Sequence, residues 1–331
     1  MKKVYAILLA LVMLLTLVAC GSPDKSSDAA EEKKIGVVVF QDDMFFQMWT
    51  AGCNAAAEEA GWSTNNSNYN TDAGELANLI QTYIDQEYDA VALQISDAEV
   101  GDTYSKKAAD AGLIVGTAGL LDEEALKIYS TGVATDPYAC GKAAGELAAQ
   151  YLKEKGKDNL KIGIVQFMGQ LPFYSAARSE TFLNMLSEAG ISYEVVADLD
   201  AAVQDEAVTV CTDMMTAHPD IDLIYAANDG ATVGCTMAIK NLGLSDSVMV
   251  FGCDASEQIC DLLIDDSYGL IATAAQDSYG IGYRLTTALI DEVEGRENPD
   301  IGTSVSFPAL GLSDMDLDAV KEYSETLASF H

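Results

Sequence analysis

The sequence predicts an α/β protein built as two doubly wound lobes, each a parallel sheet with helices on both faces. Three observations point there. Short continuous apolar runs, of the kind a strand buried on both faces needs, recur along the chain. Between them lie segments with apolar residues at three and four spacing that stop at Gly. About 300 residues follow the leader, more than one core usually organises, so two domains are expected.

The leader comes first. Lys2 and Lys3, then "AILLALVMLLTLVA", make a positive n-region and an apolar stretch too short to span comfortably, so residues 1–19 are expected to be an export signal. "LVAC" resembles the bacterial lipobox, which would make Cys20 the lipidated mature N-terminus; the alternative is a free Cys at the end of an ordinary signal. "GSPDKSSDAAEEKK" is small, polar and charged, and residues 20–34 are expected to form a flexible tether.

The body then alternates. "IGVVVF", "YDAVALQIS", "GLIVGTA", "KIGIVQF", "DLIYAAND", "VMVFGCD" and "LIATAAQD" are the strand candidates. "TDAGELANLIQTYIDQE", "YACGKAAGELAAQYLKEKG" and "TFLNMLSEAG" are among the helices between them. In such sheets ligands lie beyond the carboxyl ends of the strands. That rule selects Asp42 and Asp43, Ser96 and Asp97, Asn228 and Asp229, Asp254, and Gln276 and Asp277.

Composition limits the partners. A formal charge of -34 repels nucleic acid and an anionic membrane surface alike, so the acidity reads as solubility. Beyond Cys20, the cysteines at 53, 140, 211, 235, 253 and 260 show no CxxC and no zinc or disulfide spacing, and are expected to be small buried apolar residues.

Catalysis finds no device. The histidines are His218 and the terminal His331, there is no GxSxG, and "DPYACGKA" has Asp136 and Ala143 where a phosphate loop needs Gly and Ser or Thr. "DMDLDAVKEYSE" places acids like a calcium loop, but Ala319 takes the place of the turning Gly; it reads equally as a helix entered through Ser313. No enzyme activity, cofactor or metal is expected.

"IGVVVFQDDMFFQMWTAGCNAAAEEAG", "AARSETF", "TAHPDIDLIYAANDGATVGCTMAI", "VFGCDASEQ" and "IATAAQDSYGIG" resemble the sugar-binding type I periplasmic binding proteins that serve ABC transporters, from about residue 35 to 310. The resemblance implies two doubly wound lobes joined by a three-crossover hinge near Thr135, Asp277 and Thr303. The N-terminal lobe would hold 35–134 plus 277–303, and the C-terminal lobe 135–276 plus 304–331. It also implies the ligand-binding set: Asp43, with Phe45 and Phe46 as stacking aromatics, Arg178, Asn228, Asp254 and Gln276. Carboxylate, amide and guanidinium groups suit hydroxyls, and an aromatic face suits the C–H side of a sugar ring.

Departures accompany the likeness. "TAGLL" gives Ala118 and Gly119 where the ribose type has an acid-base pair, "LPFYSAAR" puts Pro172, Phe173 and Tyr174 before the arginine, and Leu199 replaces a second aromatic. Apolar residues at 45, 49, 52, 56 and 60 form a helical stripe, so Trp49 is expected in the core, Phe46 off the stripe and facing the cleft, and Phe45 in either place.

The expected function is capture of a small neutral sugar or sugar-like ligand outside the cytoplasmic membrane, for delivery to an ABC permease and its ATPase. The protein would act as a monomer held to the cell membrane only by its lipid anchor. The alternative is a ligand-sensing component, for a sugar or a furanosyl signal molecule, that docks on a membrane receptor. A repressor with the same core would need a DNA-binding helix-turn-helix where this chain has a leader.

Overall fold

A computed structural model describes residues 32–330. The leader, Cys20 and nearly all of the tether lie outside the described residues. The first strand begins at Lys34, one residue inside the segment assigned to the tether.

Among the described residues, twelve strands form two six-stranded sheets. In the first, β1 (Lys34–Val39), β2 (Ser63–Asn68), β3 (Ala90–Leu93), β4 (Ile114–Thr117), β5 (Thr131–Thr135) and a later strand lie in the order 2-1-3-4-5 with that strand beside β5. In the second, β6 (Leu160–Gln166), β7 (Tyr193–Asp200), β8 (Leu223–Ala226), β9 (Met249–Cys253) and β10 (Leu270–Ala275) repeat the pattern as 7-6-8-9-10. β11 (Ser304–Phe307) completes the first sheet in parallel with β5, and β12 (Leu310–Ser313) completes the second antiparallel to β10.

Both sheets therefore reverse strand order once, between β1 and β3 and between β6 and β8. Such a switch point opens a crevice at the strand carboxyl ends. The central strands β3, β5, β8, β9 and β10 are buried at every residue, which is why their sequences are unbroken apolar or small runs. β2 and β7 are sheet edges with half-exposed polar patterns, and no apolar run marks them.

The chain changes sheets three times. After β5 it enters the helix Pro137–Glu154, which packs on β9, β10 and β12. After β10 it enters the helix Ser278–Val293, which returns to the first lobe against the helix Met44–Ala60. The third passage comes later than the expected break at Thr303. Because β11 pairs with β5, residues 304–307 belong to the first sheet, and the chain crosses at Pro308 and Ala309.

Two glycine contacts fix the helices that matter below. A Cβ on Gly282 would overlap the Trp49 carbonyl, so the Ser278 and Met44 helices can meet backbone to backbone. A Cβ on Gly141 would overlap the Arg178 carbonyl, which seats the helix Pro172–Glu188 against the Pro137 helix.

The six body cysteines are all free and buried. In the Asp314 region the helix Leu317–Ala328 is capped by Asp316, which accepts from Ala319 N at 3.2 Å. Ser313, expected as that cap, instead ends β12 and accepts from Met315 N. Among the described residues no cluster of acids, cysteines and histidines could hold a metal ion, and no helix is long and apolar enough to cross a membrane.

Candidate functional site

A cavity of about 670 Å³ lies between the lobes, at the carboxyl ends of both sheets. Its polar residues follow strands: Asp43 follows β1, Gln94 β3, Asn228 and Asp229 β8, Asp254 β9 and Gln276 β10. All seven residues selected from the sequence, Asp43, Phe45, Phe46, Arg178, Asn228, Asp254 and Gln276, line this one space.

Arg178 and Asp254 form its centre. Arg178 Nη1 donates to the Ala227 carbonyl at 2.8 Å and lies 3.7 Å from Asp254 Oδ2, while the guanidinium rests 5.2 Å from the Phe167 ring centroid. Its Nε has no protein partner and stays buried. Asp254 sits at φ 73°, a left-handed conformation that Asp and Asn enter more readily than most residues. That turn aims both carboxylate oxygens inward: Oδ2 accepts from Asp229 N at 2.8 Å, and Oδ1 accepts from the Gln276 amide.

Asn228 is committed to structure. It caps the helix Asp229–Asn241, with Oδ1 accepting from Ala231 N at 3.1 Å and Nδ2 donating to the Ala202 carbonyl at 2.8 Å. One proton of its amide and the second lone pair of Oδ1 are left for a ligand. Asp43 caps the Met44 helix in the same way, accepting from Phe46 N at 3.1 Å and from the Gln41 amide at 2.5 Å.

Asp229 escaped selection as a binding residue, although its place at a strand end was legible. Its Oδ2 is buried without a partner, and burial, reinforced by the charges of Asp43 and Asp254, pushes its pKa up to about 8. Burial also raises Asp43, to about 6, against the hydrogen bonds it accepts. Burial and the neighbouring acids thus hold Asp229 towards its neutral form. Gln94 Nε2 and Thr135 Oγ1, also lining the cavity, are likewise buried without partners. Groups of this kind cost free energy until a ligand or water satisfies them.

The aromatics divide differently from the stripe argument. Trp49 is fully buried, as expected. Phe46, expected to face the cleft, does line the cavity, but it is only 8% exposed and packs edge-on to Phe40 at 4.7 Å, whereas Phe45, also lining it, is half-buried. The Met44 helix is gripped on two sides, by the first sheet through Phe46 and by the Ser278 helix through Trp49 and Cys53, so its buried surface is wider than one stripe. Phe45 is further held by its carbonyl, which accepts from Ser278 Oγ at 2.6 Å across the second crossing.

The mouth is joined across the lobes. Gln170 Nε2 donates to Gln41 Oε1 at 2.6 Å, and Tyr174 OH accepts from Leu120 N at 3.0 Å. Leu199, at the place of a lost aromatic, is exposed on β7 and away from the cavity. Ala118 and Gly119 line the cavity with no side-chain donor or acceptor.

The family description "Periplasmic binding protein domain" matches residues 35–297, most of the chain. The chain belongs to the periplasmic binding protein family. Among curated relatives, the ribose import binding protein RbsB of Bacillus subtilis (strain 168) is 26% identical over 312 residues, covering 90% of this chain and 95% of that one. A D-apiose import binding protein of Actinobacillus succinogenes is 27% identical over 244 residues, covering 72% and 74%. A solute-binding protein of Bacillus halodurans with bound myo-inositol superposes with TM-score 0.77 at 20% identity, covering 90% of this chain and 99% of that one. One from Actinobacillus succinogenes with bound D-allose gives TM-score 0.74 at 18% identity, covering 87% and 100%. At those identities the structures show the fold: two lobes of parallel-dominated α/β sheet. Family membership makes this an extracytoplasmic binding protein, one that captures a small solute.

Proposed function

We propose that the protein is a lipid-anchored receptor that captures a small neutral sugar, or a sugar-like polyol, between its lobes and delivers it to an ABC importer. The observation that carries this reading is the set of groups converging on one cavity. An arginine with a free buried Nε, a carboxylate beside it, a protonated carboxyl, two amides and a phenylalanine edge together match the alternating donors, acceptors and C–H faces of a polyhydroxylated ring. The sugar and polyol ligands in the names of the relatives support the same class.

Asp43, Phe45, Arg178, Asp254 and Gln276 would touch the ligand, Asn228 through its one spare proton and Phe46 by its exposed edge. Cys20 would carry the lipid, and the chain would work as a monomer, with residues 135–276 and 308–330 in the second lobe. A thermal-shift screen against pentoses, hexoses and cyclic polyols tests the reading, because a ligand bound only by the folded state raises the melting temperature. A panel with no shift at millimolar ligand would sink it.

A further inference from the structure

We propose that the natural ligand is a sugar bearing an uncharged apolar substituent, such as a second ring, and that the substituent occupies an annex of the cavity inside the N-terminal lobe. This rests on the sugar-binding reading above and extends it. Size is the first argument. Even at the roughly 30 Å³ that each molecule takes in liquid water, the twelve heavy atoms of a hexose fill roughly 360 Å³, well short of the cavity's 670 Å³. Hydrogen bonds Gln41–Gln170 and Leu120–Tyr174 tie the two lobes together beside this space.

The surplus space has its own chemistry. Apart from Asp43 and Gln94, the groups suited to hydroxyls come from the C-terminal lobe and the second crossing, whereas the N-terminal lobe lines the cavity with Ile95, Ala98, Leu121, Ala125, Ile128 and Tyr129. An apolar wall of this kind gains nothing from a hydroxyl and about 25 cal/mol for each Å² of apolar ligand surface it covers. Gln94, whose Nε2 has no hydrogen-bond partner in the protein, lines the same cavity.

The annex is built rather than incidental. Asp122 Oδ1 accepts from Glu124 N and Ala125 N and fixes the turn that carries Ala125, while Leu121 N donates to Ser304 Oγ at 2.8 Å. Tyr129 OH donates to Asp102 Oδ1 at 2.8 Å on the far wall. With Asp102 and Asp122 on its rim and no base among its described lining residues, the annex disfavours an anionic substituent.

Calorimetry on the wild-type protein with matched pairs is the test: ribose against uridine and adenosine, and glucose and galactose against their phenyl β-glycosides. In at least one pair the substituted member should bind at least tenfold tighter, about 1.4 kcal/mol. Ala98→Phe, at an exposed first helical residue where folding should not suffer, fills the annex. It should cancel that gain and leave the parent sugar within twofold. If parent sugars bind and no substituted partner binds more tightly, or if Ala98→Phe leaves the gain intact, the inference is overturned and the sugar-binding reading stands. If no member of any pair binds, the sugar-binding reading falls and takes this inference with it.

Discussion

The backbone N–H of Asp229 donates to Asp254 Oδ2 at 2.8 Å, so two acids at neighbouring strand ends share one short stretch of the cavity wall while only one of them has a counter-ion. Asp254 faces Arg178. Asp229 faces Asp43 and Asp254 across buried space, and holds its proton instead. The two acids thus stand side by side in different electrostatic settings.

A pH dependence follows from that arrangement. Asp43 and Asp229 have folded pKa values of about 6 and about 8, above the ordinary 3.8 of the unfolded chain. An acid raised in this sense adds stability that is complete below about pH 4 and is lost as the pH rises through its folded value. The melting temperature of the ligand-free protein should therefore fall between about pH 4 and 8, with up to about 1.4 kcal/mol per pH unit from each group inside its window. Asp229→Asn should flatten the part above pH 6.5; an unchanged slope there would show that Asp229 is ionised in the folded protein.

The Arg178–Asp254 contact gives a second prediction. Both side chains are almost fully buried, and removing one partner strands a charge, which costs about 3–5 kcal/mol. Asp254→Ala should lose that much stability and weaken sugar binding by about 1.5–3 kcal/mol, roughly ten- to a hundredfold. Asp254→Ala combined with Arg178→Met should recover part of the stability but none of the binding. Denaturant melts and calorimetry on the single and double variants separate the two effects, and additive stabilities would mean that the residues do not interact.

The bonds across the mouth predict kinetics. Gln170→Ala and Tyr174→Phe each remove about 1 kcal/mol or less of closed-state hydrogen bonding, through Gln41 and Leu120 N respectively. Ligand should leave several times faster from either variant, with little change in the rate of binding. Small-angle scattering should show a radius of gyration that falls on ligand addition, as in a hinged clamp. An identical radius at saturation, together with unaltered release from both variants, would argue for a rigid pocket.

Anchoring makes a fourth prediction, on a residue outside the described structure. Cys20→Ala should release the protein to the medium or leave it uncleaved. A processed variant still retained on the membrane would exclude lipid as the anchor.

Much of this site could be read from the sequence because buried parallel strands are written as unbroken apolar runs. The polar residue that ends each run, such as Asn228 after "LIYAA" or Asp254 after "VFGC", is then conspicuous. Edges were illegible for the converse reason: β2 reads "STNNSN", a solvated pattern made a strand only by pairing with β1. The third crossing was misplaced by four residues because β11 is short, half-exposed and defined by its partner β5. The roles of Phe45 and Phe46 could not be ranked by one stripe, since the Ser278 helix that grips the other side of their helix comes from more than two hundred residues away. The annex walls come from segments that carry no motif.

The ligand's charge is the last expectation. Asp43, Asp229 and Asp254 surround the polar end, and Arg178 is the only base among the described residues lining the cavity. Arg178 already faces Asp254 and donates to Ala227, so little of its charge remains for an anion. A phosphorylated or carboxylated sugar would meet this site and a chain of formal charge -34 with net repulsion. A neutral sugar needs no long-range attraction: Asp254 accepts, protonated Asp229 and the amides of Gln276 and Asn228 donate, and micromolar affinity, about -8 kcal/mol, is within reach of such hydrogen bonds. Binding should then change little between low and high salt, since no distant attraction is screened. Calorimetry of a sugar and its phosphate at both salt concentrations decides the matter. Tighter binding of the phosphate, weakening steeply with salt, would mean that Arg178 is freer, and the acids better neutralised, than their hydrogen bonds indicate.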